Sequence, residues 1–95
     1  MHCQNGVIAL EGNLDFTTVQ ALVPLGCQCL AKQGTVTFDL EAVTNTDSAG
    51  VALLLAWWRF AKQHAASIRF VHIPAALKAL LAVTNVDQVL AECLC

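Results

Sequence analysis

Apolar and polar positions alternate strictly along Thr35-Val36-Thr37-Phe38-Asp39-Leu40. Val36, Phe38 and Leu40 fall on one side and Thr35, Thr37 and Asp39 on the other, the period of a half-buried strand. Ser67-Ile68-Arg69-Phe70-Val71-His72 repeats the pattern less cleanly, with Ile68 and Phe70 inward and Ser67 and Arg69 outward. A third apolar stretch, Val7-Ile8-Ala9-Leu10-Glu11, follows Asn5-Gly6, a strong hairpin signal. Residues 1–4 are therefore expected as a stub of strand turning into it. Between these stretches the period becomes helical. Asp15-Phe16-Thr17-Thr18 reads as a helix start capped by Asp15, Thr17 or Thr18, with the helix running toward Lys32 and stopping at Gly34. Pro24 lies inside it and predicts a kink, or two short helices with Pro24 in the first turn of the second. A second helix is predicted from Ser48 to about His64. A third, opened by Pro74, runs from Ala75 to about Ala82 and presents Leu77, Leu80 and Leu81. Thr84-Asn85 breaks it, and Val86 to about Cys93 is a final short helix capped by Asn85 or Thr84.

Helices alternating with strands imply parallel, right-handed crossovers. Each strand keeps one wetter face, so the helices should cover mainly one face of the sheet; a doubly wound sheet would show continuous apolar strands. At 95 residues the chain is read as one domain, 1–95, without repeat or linker. Hydrophobic residues make up 57% and charged residues 13%, which excludes disorder. Five Lys plus Arg against seven Asp plus Glu give a net charge of −2, too few cations for a phosphate footprint, so no nucleic-acid partner is expected. The start, Met1-His2-Cys3-Gln4, has neither the basic nor the apolar region of a secretory signal. The longest apolar run, Ala49 to Trp58, is ten residues, and a bilayer span needs about 20. No direct membrane insertion is expected. Five cysteines at 3, 27, 29, 93 and 95 are an odd set without zinc-type spacing. Small apolar thiols are the default reading, with Cys93 and Cys95 as a frayed tail and no metal or other cofactor expected.

The second helix carries the most information. Stepping 100° per residue puts Gly50, Leu54, Trp57 and Ala61 on a core stripe flanked by Leu53 and Phe60. The opposite side, centred on Arg59, holds Ser48, Ala52, Leu55 and Ala56, with Trp58 on its shoulder. A solvent face normally carries charge there. One reading is a tolerant surface in an Ala-rich protein. The other is a flat docking face, small near Ser48 and anchored by Leu55, Trp58 and Arg59, since Trp and Arg carry interface energy. Ser48 is a good N-cap and Asp47 complements the positive helix end. In a polar loop Thr44-Asn45-Thr46 beside such a face, the Ser48 hydroxyl is also a candidate phosphorylation site. A phosphate there would suit the helix end and repel an apolar partner.

Catalysis is not expected. His64 lies 16 residues along the helix from Ser48, about 24 Å at 1.5 Å per residue, too far to act as its base. No G-x-S-x-G, P-loop or G-x-G-x-x-G is present. The carboxylates do not cluster, although Asp39 and Asp47 are both expected at strand ends on one rim.

Leu10-Glu11-Gly12-Asn13-Leu14-Asp15 with Thr17-Thr18, then Phe38-Asp39-Leu40, Val43 and Thr46-Asp47-Ser48-Ala49-Gly50-Val51, resemble the opening, central strand and helix start of STAS domains. The likeness continues through Ile68–Val71 and Pro74 to Val86-Asp87-Gln88-Val89-Leu90. It implies an α/β, SpoIIAA-like fold: about four strands, mostly parallel with an antiparallel N-terminal edge, and three to four helices mainly on one face. Two branches fit. In the anti-sigma-factor antagonists, the serine matching Ser48 is phosphorylated by a kinase-type anti-sigma factor. In the MlaB-type subunits of phospholipid-transport ABC complexes, the domain binds the ATPase subunit (MlaF-like) and, through it, the permease. Ala49–Leu55, Val23-Pro24-Leu25 and Val71–Leu77 look closer to the second branch. The resemblance therefore implies a non-enzymatic partner-binding protein, cytoplasmic and peripheral to the inner membrane, docking through Thr46, Asp47, Ser48, Ala52, Leu55, Trp58 and Arg59. A STAS module binding a small ligand or nucleotide would instead need a concave polar pocket. Without its partner, the apolar helix could pair with a second copy.

Overall fold

The computed structural model describes residues 3–94, with Cys3 and Gln4 as backbone. Met1, His2 and Cys95 lie outside the described residues, so the expectations placed on them are not addressed. Strand β1 (Cys3–Gln4) turns through Asn5 and Gly6, both at positive φ (53° and 76°), into β2 (Val7–Leu14), and the two pair antiparallel. This is the conformation for which an Asn-Gly pair is suited. Helix α1 (Phe16–Gln33) follows, then β3 (Thr35–Thr46), α2 (Ser48–Gln63), β4 (Ser67–Val71), α3 (Ala75–Val83) and α4 (Val86–Val89). The sheet order is β1-β2-β3-β4, with β2, β3 and β4 parallel. The expected one-sided α/β architecture is therefore what the chain forms.

The inward side of the sheet carries Ile8, Leu10 and Leu14 of β2 and Val36, Phe38 and Leu40 of β3, all buried. Helices cover this side. Phe38 stacks on Trp57 of α2 at 4.0 Å and 8°, and on Phe70 of β4 at 5.7 Å, so one aromatic column joins sheet to helix. Trp57 donates its indole N–H to the Val23 carbonyl at 3.1 Å, tying α2 to α1. The two helices meet closely at Gly26, where an added Cβ would overlap the Trp57 indole. On the other side Val7, Ala9 and Glu11 are exposed.

Several boundaries differ from expectation. Pro24 does not split α1 into two helices; one helix runs through it. The carbonyl that loses a partner belongs to exposed Gln20, where water can satisfy it. Segment Thr44–Thr46 is strand, not loop. The β2–β3 register slips between Ala9 and Glu11 and between Gly12 and Asn13. These bulges put Leu40 and Val43 inward with Glu41 and Ala42 outward, which hides the strand behind broken alternation. Asp39 therefore sits mid-strand, opposite Ala9 and Val71, and not on the rim with Asp47. Helix α4 is only four residues. Asn85 has a left-handed backbone (φ 61°) and makes no side-chain cap bond, since an N-cap needs extended geometry. The segment at Cys93 is not frayed: it is buried, its carbonyl accepts from Phe70 N–H at 2.8 Å, and Leu94 bridges Phe70. Cys27 is a half-buried thiol whose pKa burial pushes up. Cys29 is disulfide-bonded. The expectation of apolar thiols fails at that position, because a single bridge needs only two suitably placed sulfurs and no wider framework.

Candidate functional site

Parallel register builds the rim where the candidate residues gather. Leu14 pairs with Thr46, and each is followed by an aspartate that caps a helix: Asp15 for α1 and Asp47 for α2. Phe16 and Ser48 are thus the first residues of two neighbouring helices. Asp47 Oδ1 accepts from Ala49 N–H at 2.8 Å. Asp47, not Ser48, is the cap, which corrects the expectation drawn from serine's general preference. The shift follows from β3 running to Thr46, which leaves Asp47 as the residue with extended backbone (φ −131°, ψ −163°). Ser48 is exposed, and among the described residues nothing hydrogen-bonds its hydroxyl.

Ser48, Ala52 and Arg59 are exposed and Leu55 half-buried along the outer side of α2. The core stripe predicted for this helix is buried as expected: Gly50, Leu54, Trp57 and Ala61. Two candidate residues stand apart from the outer face. The Thr46 side chain lies beneath the first turn of α2; its hydroxyl contacts the space a Cβ at Gly50 would need and donates to the Asp47 carbonyl at 3.2 Å. Trp58 is half-buried and lines a groove of about 610 Å³ beside β4, with Lys62 5.7 Å above its ring. Its indole N–H is buried without an acceptor among the described residues. Lys62, Arg69 and Glu92 share that groove, and Lys62 pairs with Glu92. The concavity on the rim itself, bordered by Asn13, Asp15, Asn45 and Asp47, holds about 160 Å³. That is below the roughly 300 Å³ at which small-molecule sites begin.

Two features went unnoticed in the sequence. Phe16 is 70% exposed at the start of α1 and adds an aromatic ring to the same rim; the parallel pairing of two strand–helix units was the signal available. The other is a cluster on the open sheet face: His72 Nδ1 lies 3.0 Å from Asp39 Oδ1 and 3.7 Å from Glu41 Oε2. The Glu41 backbone N–H, and then His72, hold the Asp39 carboxyl below its usual range. The register Asp39 to Val71 places His72 there. His64 closes the far end of α2, stacked on Phe60 at 4.0 Å, so neither histidine reaches Ser48.

These features define a small α/β domain with helices on one side of a mainly parallel sheet and an uncovered helix start at its rim. The chain belongs to the STAS domain family: the family model described as "Mlab, STAS domain" matches residues 1–92. Among solved structures it is similar to the anti-sigma factor antagonist SpoIIAA in its unphosphorylated form. The two are 22% identical, the match covers 87% of this chain and 86% of that one, and the TM-score is 0.62. That likeness is one of fold. No curated protein matches the chain. Among the described residues, no helix is long and apolar enough to cross a membrane.

Proposed function

We propose that this chain, one STAS domain over residues 1–95, is a non-enzymatic subunit that binds the ATPase of a phospholipid-trafficking, Mla-type ABC transporter. Contact with the permease is made only through that ATPase, on the cytoplasmic side of the inner membrane. The observation that carries the reading is the outer side of α2. Ser48, Ala52 and Leu55 give it a small, weakly polar start, and Arg59 closes it; Ser48, Ala52 and Arg59 are exposed, while Leu55 is half-buried and packs partly against the core. Covering such a surface removes apolar area from water at about 25 cal/mol per Å², and a flat helix face suits another protein better than a small ligand. The description carried by the matching family model points to the same branch. Thr46 and Asp47 shape the helix start, and Trp58 borders the face. Ser48→Glu and Ala52→Glu, both at exposed positions, should each abolish binding to the purified ATPase in titration calorimetry, with far-ultraviolet melting curves retained. Unchanged affinity in both variants would remove the surface from consideration.

A second reading rests on the Ser48 hydroxyl, exposed and unengaged at a helix start on a fold shared with SpoIIAA. In it the chain is an anti-sigma-factor antagonist, and a kinase-type anti-sigma factor phosphorylates Ser48. Intact-mass spectrometry of protein from the native host separates the two: a phosphate on Ser48 that appears and disappears with growth condition belongs to this reading alone.

A further inference from the structure

The side of the sheet away from the helices holds a donor set that neither reading uses. Asp39, Glu41 and His72 each offer a ligand atom within 4.8 Å of the others. Donors bound at about 2.0–2.2 Å to one ion, at octahedral or tetrahedral angles, lie about 3.0–3.5 Å apart. His72 Nδ1 is hydrogen-bonded to Asp39 Oδ1 at 3.0 Å and lies 3.7 Å from Glu41 Oε2, so an ion that displaces the shared proton meets donors already close to these spacings. We propose that Asp39, Glu41 and His72 form a surface site for a divalent transition metal of the zinc–cobalt–nickel class, with its remaining coordination positions open to water.

The chemistry of the donors selects the class. One imidazole with two carboxylates suits borderline cations; calcium prefers oxygen alone, and copper(I) prefers sulfur. The donors are also independent in the backbone. Asp39 and Glu41 flank inward-facing, fully buried Leu40 on β3, so both project to the open face, while His72 follows the end of β4. The Glu41 N–H fixes Asp39 Oδ1 at 3.0 Å, which orients the carboxylate. The side chains remain 28% (Asp39), 77% (Glu41) and 59% (His72) exposed, so an ion can reach them and keep water ligands. Buried Ile73 and Pro74, the residue before α3, come directly after His72. A bound ion would therefore tie the middle of β3 to the turn that starts α3, on the opposite side of the molecule from the α2 face. Metal binding then stabilises the fold by mass action without touching that face.

The test is a cobalt(II) titration of the full chain with its disulfide intact, followed by visible absorption and by thermal melting. The expected result is saturation at one ion per chain, with the weak bands of nitrogen and oxygen ligation and a melting temperature that rises with cobalt. His72→Ala and Glu41→Gln should each weaken binding at least about tenfold, in line with the loss on removing metal-site partners, and should abolish the cobalt-dependent rise. Glu41 is too exposed for Glu41→Gln to act through misfolding. Two results would overturn the site: no saturable binding, or an intense thiolate-to-cobalt band that persists in His72→Ala and places the ion on the cysteines.

Discussion

Helices α1 and α2 start side by side, one strand apart, and each is capped by an aspartate, yet the two starts are built differently. At α1 the chain closes a capping box. Asp15 Oδ1 accepts from Thr18 N–H at 3.0 Å, the Asp15 N–H donates to Thr18 Oγ1 at 2.9 Å, and the Thr18 hydroxyl reaches the Asn13 carbonyl at 2.9 Å. The cap residue and its box partner are both spent on the fold. At α2 the third helical position is Gly50, which has no side chain to complete a box, and Asp47 makes a single cap bond. The hydroxyl that remains, on Ser48, is turned outward. One start is stitched shut; the other keeps a spare polar group and small neighbours at the surface. Since both starts share the same end of the sheet and the same register, the difference lies in side chains, and it leaves the exposed Ser48 hydroxyl at the α2 start outside the cap.

The largest stability effect that sharpens this contrast is at Gly50. An alanine Cβ there would overlap Thr46 Oγ1 and come within 3.4 Å of Leu77. Thr46 sits on a strand paired with Leu14, so the backbone beneath cannot withdraw. Gly50→Ala is expected to lower unfolding stability by about 2 kcal/mol in urea titrations, overpacking outweighing the gain in helix propensity. Adding Thr46→Ala should restore at least half of the loss, because it removes the overlapped hydroxyl. A neutral Gly50→Ala would mean that the glycine is not there for close approach.

Next come the caps. Asp15→Ala should cost about 1.5 kcal/mol and Asp47→Ala about 1 kcal/mol, both within the range of N-cap deletions. The sharper expectation is coupling. A double-mutant cycle of Asp15→Ala with Thr18→Ala should show an interaction of at least about 0.5 kcal/mol, as expected for groups in one network. Equal cap costs with no coupling would make the two starts equivalent and erase the contrast.

The sequence showed the inner half of this picture more clearly than the outer half. The strict alternation at Thr35–Leu40 and the helical stripe through Trp57 are written in residue type, because burial demands apolar side chains at a fixed period. Phe38 stacking on Trp57 follows from both. The end of β3 was illegible because the bulges shift Val43 out of phase and leave Thr44–Thr46 looking like loop. The helix start at Ser48 was legible, but reading the preceding residues as loop gave Ser48 the capping role that Asp47 holds. Phe16 and His72 were missed for a related reason: their meaning comes from the element alongside, and strand register is set by tertiary pairing rather than by local pattern.

The smallest stability effect, and the one that reads the rim most directly, is at Phe16. Its ring is 70% exposed at the first position of α1, where it takes no part in the Asp15–Thr18 box. Phe16→Ala should therefore change unfolding stability by less than about 0.5 kcal/mol, as for surface substitutions away from caps and core. Its binding effect should be larger. The register that pairs Leu14 with Thr46 puts Phe16 and Ser48 at the starts of neighbouring helices, and in the proposed function an exposed aromatic there is the type of residue that anchors partners. Loss of the ring should weaken ATPase binding about tenfold, equivalent to 1.4 kcal/mol, measured in the same calorimetric titration as Ser48→Glu. Wild-type affinity in Phe16→Ala, alongside lost affinity in Ser48→Glu, would confine the contact to α2. The closed start of α1 would then be scaffold only, and the contrast between the two helix starts would extend to every residue on the rim.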